Sequence, residues 1–182
     1  PDESRTFEVT TETSLEILNA CPDWEWRLLF GLMRWGGLRC PSELKIKWCD
    51  VLWDKNRFLV YSPKTEHRTG KESRWVPMFK ELLPLFQDAF EMANDGAVYV
   101  LGQRRNSGHK VLTDQYLKIL TKAGISSYPK LFTNLRASRA TELIRLGLPA
   151  HLESKWIGHT EKVARENYLQ TNDADFAHWS AK

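Results

Sequence analysis

The 182-residue sequence lacks the patterns on which several common chemistries depend. No apolar run approaches the roughly 18 residues of a membrane-spanning helix. No G-x-x-x-x-G-K-[ST] or G-x-G-x-x-G loop is present to cradle a nucleotide. There is no H-E-x-x-H, no paired Cys/His cluster and no carboxylate cluster of the kind that binds zinc or calcium. A G-x-S-x-G elbow for an activated serine is missing too. Cysteine is scarce: Cys21, Cys40 and Cys49 are odd in number and form no C-x-x-C pair. They read as reduced core or helix-end residues of a cytoplasmic protein. Repeats and low-complexity tracts are also absent.

What is present is a globular mixture, 42% hydrophobic and 27% charged, long enough to bury one core. A net charge of +3 says little by itself. The basic residues are bunched, however, over residues 34–47, 64–74, 104–110 and 130–145. Such bunching makes either a solvated face or, after folding, a phosphate-binding surface.

Periodicity indicates a mostly α-helical α+β domain with one small three-stranded antiparallel sheet. Thr13 followed by Glu16 is a capping-box pattern for a short helix that Pro22 stops. Asp23 can cap a second helix with an apolar stripe of Trp26, Leu29, Phe30 and Met33, ended by Gly36-Gly37. Arg39 follows in a tight connection, and Pro41 suits the first turn of a further helix reaching about Ile46. Asp50–Trp53, Arg57–Tyr61 and Ser73–Val76 read as strands, the last two joined by the loop 62–72. Helical patterns return around Leu82–Phe86, Thr113–Ala123, Asn134–Leu146, Pro149–Ile157 and Glu161–Leu169, with an extended piece at Val98–Leu101 and a tail at Asp173–Trp179.

Elimination leaves cationic residues at helix ends, and tyrosines. Gly36-Gly37-Leu38-Arg39 with Ser42-Glu43-Leu44 resembles the first box of the tyrosine recombinase (phage integrase) family. Thr133-Asn134-Leu135-Arg136 resembles the second box, His-x-x-Arg, with threonine in place of the histidine. Ile157-Gly158-His159, with Tyr168 nine residues after the histidine, resembles the third. Ser62-Pro63-Lys64-Thr65 lies in a strand–strand loop where the family carries its lysine. Each box alone is weak; four in order across residues 13–179 are specific.

The resemblance implies the family's catalytic-domain fold over residues 13–182, with residues 1–12 a linker from an N-terminal core-binding domain. It also implies site-specific recombination through a 3′-phosphotyrosine, without metal, ATP or other cofactor. The physics suits these residue types. Charge grows on the nonbridging phosphate oxygens as a phosphodiester is displaced, and guanidinium forks can clamp them. That is the role for Arg39 and Arg136. Lys64 is the candidate general acid for the leaving 5′ oxygen, with Lys71 or Arg68 of the same loop as substitutes. His159 is the candidate phosphate donor and Tyr168 the nucleophile. Glu43 and Thr133 would support them; threonine can donate a hydrogen bond but carries no charge, so a slower site is expected. The first box holds one extra residue before Glu43, which leaves open whether that carboxylate reaches the active-site groups.

Arg68, Lys71, Arg104, Arg105, Lys110 and Arg139 are candidate DNA contacts. The implied partner is double-stranded DNA, with a homotetramer formed on DNA by a full-length bacterial or phage protein and a monomeric isolated domain. Phe176 and Trp179 would pack either on a neighbouring subunit or on the domain's own core. A type IB topoisomerase, a DNA-binding derivative that has lost catalysis, and a plain helical interaction domain are the competing readings.

Overall fold

A computed structural model of the protein describes residues 7–63 and 73–158. Lys64, Arg68, Lys71, His159 and Tyr168, the helix expected at 161–169 and the tail at 173–179 lie outside the described residues. The described part holds six α-helices and three strands. Among the described residues no helix is long and apolar enough to cross a membrane.

Helix α1 spans Thr11–Ala20 and starts earlier than its sequence pattern suggests. Its cap is Thr10, whose hydroxyl accepts the Thr13 N–H at 3.2 Å, so Thr13 supplies the donor rather than the cap. Packed structure reaches further toward the N-terminus as well. Val9 is fully buried and donates its N–H to Ser138 Oγ at 2.8 Å, which ties the chain at that point to the 131–145 segment.

Helix α2, Trp24–Arg34, is capped by Asp23, whose Oδ1 accepts the Trp26 N–H at 2.9 Å. Its expected stripe is buried, and the helix is the centre of the core. Trp26 and Phe30 lie in ring contact with the buried Tyr116. On another face Gly31 lets the helix approach Leu85; a Cβ there would stand 2.5 Å from Leu85 Cδ1.

Residues 40–43 form turns rather than the helix expected from Pro41 to about Ile46, and the Cys40–Pro41 peptide is cis. The reason is tertiary. Ile46 and Trp48 are drawn into extended pairing with the 98–101 segment, through Val100 N–H to Ile46 O and Trp48 N–H to Val98 O, both at 3.0 Å. Strands β1 (Val51–Leu52), β2 (Arg57–Tyr61) and β3 (Ser73–Pro77) form an antiparallel sheet in that order. Asn56, at φ 47°, turns the chain between β1 and β2. The register pairs Phe58 with Val76 and Val60 with Arg74, and all four side chains are buried.

Helix α3 (Leu83–Met92) packs on α2. Helix α4 (His109–Lys122) begins a turn before its expected start at Thr113. Helix α5 (Leu131–Arg145) begins three residues before Asn134, which places Thr133 and Arg136 one turn apart on one helix. Helix α6 (Ala150–Ile157) ends at Gly158, at φ +79°.

Candidate active site

The site is assembled around one fully buried carboxylate, Glu43. Its Oε2 accepts the Arg39 backbone N–H at 2.8 Å and its Oε1 the Arg39 guanidinium at 2.6 Å. Arg74, from β3, adds a two-pronged contact, Nη1 to Oε1 and Nη2 to Oε2, each 2.8 Å. Ser62, just past β2, donates its hydroxyl to Oε1 at 2.7 Å. Arg136, from α5, brings Nη1 to 4.0 Å from Oε2 and donates to the Gly37 carbonyl at 2.5 Å. The extra residue before Glu43 therefore does not keep its carboxylate from the arginines.

Backbone geometry makes this convergence possible. Gly37 adopts φ +65°, and a Cβ there would sit 2.5 Å from Ile157 Cδ1. The end of α2 can thus lie directly on the end of α6. There Arg39 Nη2 donates to the Gly158 carbonyl, and Arg74 Nε donates to the Trp156 carbonyl at 2.8 Å. Ser62 and Gly158 are thus both in contact with the cluster. Ser62 stands two residues before Lys64, and Gly158 one residue before His159.

Charge decides the state of Glu43. Burial alone would raise its carboxyl pKa, but the hydrogen bonds and charge of Arg74, with Arg39 and Arg136, outweigh it and lower the value from 4.5 to about 2. Since the folded value lies below the unfolded one, the stabilisation is full above pH 4.5 and is lost as pH falls toward 2. A shift of that size is worth about 3 kcal/mol. Urea midpoints are therefore expected to fall steeply from pH 4.5 to 2 in the wild type and less steeply in Glu43→Gln. Equal slopes would show that the carboxylate is not held in this way.

A carboxylate so held cannot neutralise three guanidinium groups. Among the described residues the cluster is therefore cationic, with Arg39, whose side chain is 26% exposed, as its open edge. Such an arrangement has the chemistry to bind and polarise an anionic oxygen centre. Gly158 is constrained twice, by its positive φ and by a 2.9 Å gap from a Cβ to Arg74 Cδ. Gly158→Ala is expected to cost about 1–2 kcal/mol and to lower Tm by about 3–6 °C, as thermal unfolding would record. An unchanged Tm would mean that the α6 end can re-form elsewhere.

The other sequence candidates separate clearly. Thr133 is exposed, one turn before Arg136. Lys110 is 86% exposed and pairs with Asp114 at 2.6 Å, an open surface cation. Arg105 lies over the Tyr99 ring at 4.5 Å and donates to the Leu101 carbonyl at 3.2 Å. Two further candidates have acidic partners within the fold. Arg104 is held by Asp23 and Glu25 at 2.8 and 2.9 Å, tying its loop to the start of α2. Arg139 is buried, 4.1 Å above the Phe79 ring, and paired with Glu142 at 2.8 Å. The same Glu142 takes Arg34, so Arg139 is part of an internal ion network.

Arg74 and Ser62 are the site residues that sequence reasoning did not single out. A signal for Arg74 existed: it shares strand parity with Val76, which puts an arginine on the buried face of the sheet. A buried arginine requires a partner, and that requirement points to a carboxylate elsewhere.

The chain matches the phage integrase family over residues 8–175. No curated protein sequence matches it. Among solved structures, XerA recombinase superposes with a TM-score of 0.78 at 17% identity, over 96% of this chain and 64% of its own. The Tn1549 transposon integrase in complex with transposon right end DNA gives 0.68 at 16% identity, over 96% of this chain and 65% of its own. A lambda integrase tetramer bound to a Holliday junction gives 0.66 at 18% identity, over 91% of this chain and 50% of its own. The chain thus spans less than two thirds of the length of each of these structures.

Proposed function

The chain belongs to the phage integrase family, and we propose that it is the catalytic domain of a site-specific recombinase that cuts and rejoins DNA through a 3′-phosphotyrosine. One observation carries this reading: Arg39 and Arg136, 97 positions apart by their numbers (136 − 39), converge with Arg74 on one buried carboxylate.

In the proposed reaction the Arg39 and Arg136 guanidinium groups hold the nonbridging oxygens of the scissile phosphate and stabilise their growing charge. The Tyr168 phenol oxygen attacks phosphorus, forming the Tyr–P bond as the P–O5′ bond breaks. Lys64, or Lys71 from the same loop, protonates the leaving 5′ oxygen, and His159 donates to the phosphate. The phenol proton is lost to solvent or to a neighbouring base. Rejoining reverses these steps, with a 5′ hydroxyl attacking the phosphotyrosine. Since the bond energy is kept in that ester, neither ATP nor a metal is required. The substrate is duplex DNA, and assembly of the whole protein on it would be tetrameric, as in the lambda integrase tetramer bound to a Holliday junction.

The test is covalent trapping of the wild-type chain on nicked duplexes of randomised sequence, followed by peptide mapping. An adduct on Tyr168 attached to a 3′ phosphate is expected. Salt-dependent DNA binding with no adduct across the library, both for this chain and with an N-terminal core-binding domain joined to it, would overturn the catalytic reading and leave a DNA-binding derivative.

A further inference from the structure

We propose that Arg74 is a positioning residue of this site: it locks Glu43, the end of β2 and the end of α6 into one rigid frame that presents Arg39 to the phosphate. Four contacts carry the inference. Arg74 grips both oxygens of Glu43 at 2.8 Å, so the carboxylate cannot rotate. With its orientation set, Glu43 fixes Arg39 at both the backbone N–H and the guanidinium. The same Arg74 Nη1 donates to Ser62 Oγ at 2.9 Å, and Nε donates to the Trp156 carbonyl at 2.8 Å.

Geometry assigns Arg74 to support rather than to direct phosphate contact. Its side chain is 7% exposed against 26% for Arg39, and its guanidinium faces the carboxylate and two other protein oxygens. Gly158 seals it in, since the glycine backbone packs on the guanidinium where a Cβ would lie 3.0 Å from Nε. Among the described residues the charged groups facing Glu43 are Arg39 from its own loop, Arg74 from β3 and Arg136 from α5. Only Arg74 engages both carboxylate oxygens with its guanidinium, so the other two cannot replace its fork. Partners that orient metal-ligating side chains typically change activity by about 10- to 100-fold when removed, and a loss in the same range is expected for Arg74.

The kinetic arm of the test rests on the recombinase reading; the spectroscopic arm does not. Wild type, R74Q, E43Q, the double variant and R74K are compared by single-turnover adduct formation, duplex affinity and the arginine side-chain N–H signals of Arg39 in NMR. R74Q is expected to slow adduct formation between about 10- and 100-fold, with duplex affinity within about threefold of wild type. R74K should recover part of the rate. The double variant, in which both charges leave the core together, should be no slower than E43Q, because Arg74 acts through that carboxylate. The sharp Arg39 guanidinium signal of the wild type should broaden in R74Q.

An R74Q rate within about threefold of wild type, multiplied losses in the double variant, or an unmoved Arg39 signal would overturn the assignment. If even the wild type, with an N-terminal core-binding domain joined to it, forms no adduct, the recombinase reading fails, and the Arg39 signal still decides the role of Arg74.

Discussion

Replacing Tyr168 with phenylalanine is expected to abolish the covalent protein–DNA adduct, a loss on the order of 10⁴-fold or more, while duplex affinity stays within about twofold. The substitution removes one oxygen and keeps the ring, so packing changes little. That oxygen is the attacking atom in the proposed reaction, and phenylalanine offers nothing in its place. A phenol with a pKa near 10 is a weak nucleophile at neutral pH, so attack depends on nearby cations that favour its phenolate. In the proposed reaction Arg39 and Arg136, gathered on Glu43, would supply that charge. Duplex affinity comes from charge on phosphates and does not need the phenol. Trapping assays of the two proteins side by side decide the matter. An adduct of equal yield in the variant would assign the attack to another residue.

Replacing Arg136 with alanine should lower the rate of adduct formation by about 10³-fold, with DNA affinity reduced far less. Arg136 is buried on α5, where it donates to the Gly37 carbonyl and faces Glu43. Removing it therefore has two effects. In the proposed reaction the transition state would lose a guanidinium donor, a loss of several kcal/mol. The loop from Gly37 to Arg39 also loses an anchor, because the Gly37 carbonyl no longer has its donor. Arg136→Lys separates the two. It restores a charge but not the planar fork, so it should recover only part of the rate. Single-turnover kinetics at saturating DNA would show the loss in the chemical step. A loss confined to DNA affinity would show that Arg136 binds without stabilising the transition state.

Local sequence signals were reliable where a local cause acts. Asp23 caps α2 because its carboxylate needs only the N–H three residues on. Gly37 sits where the chain needs a positive φ, and β2 matches its expected bounds because its alternation is strong. The Pro41 helix failed for the opposite reason. Ile46 and Trp48 find backbone partners in a segment about 50 residues away, and pairing there outweighs a local helical preference. Charges were the hardest to read. Motif spacing singled out Arg39 and Arg136, but nothing in the sequence shows that Arg39 pairs with Glu43, or that Arg104 and Arg139 are held by acidic groups of the fold.

By itself the sequence determined the helix-rich class, the three-strand sheet, the order of the family's boxes and the two arginines that they carry. Those features follow from dihedral preference, apolar period and short spacing, all of which are written within a few residues. Tertiary structure alone decided that Glu43 is the hub and Arg74 its main partner, 31 residues along the chain. It alone brought Arg136 to the carbonyl of Gly37, 99 residues away. The physical reason is that an arginine carries the same charge everywhere. Whether it grips a phosphate, a buried carboxylate or water depends on what folding places beside it.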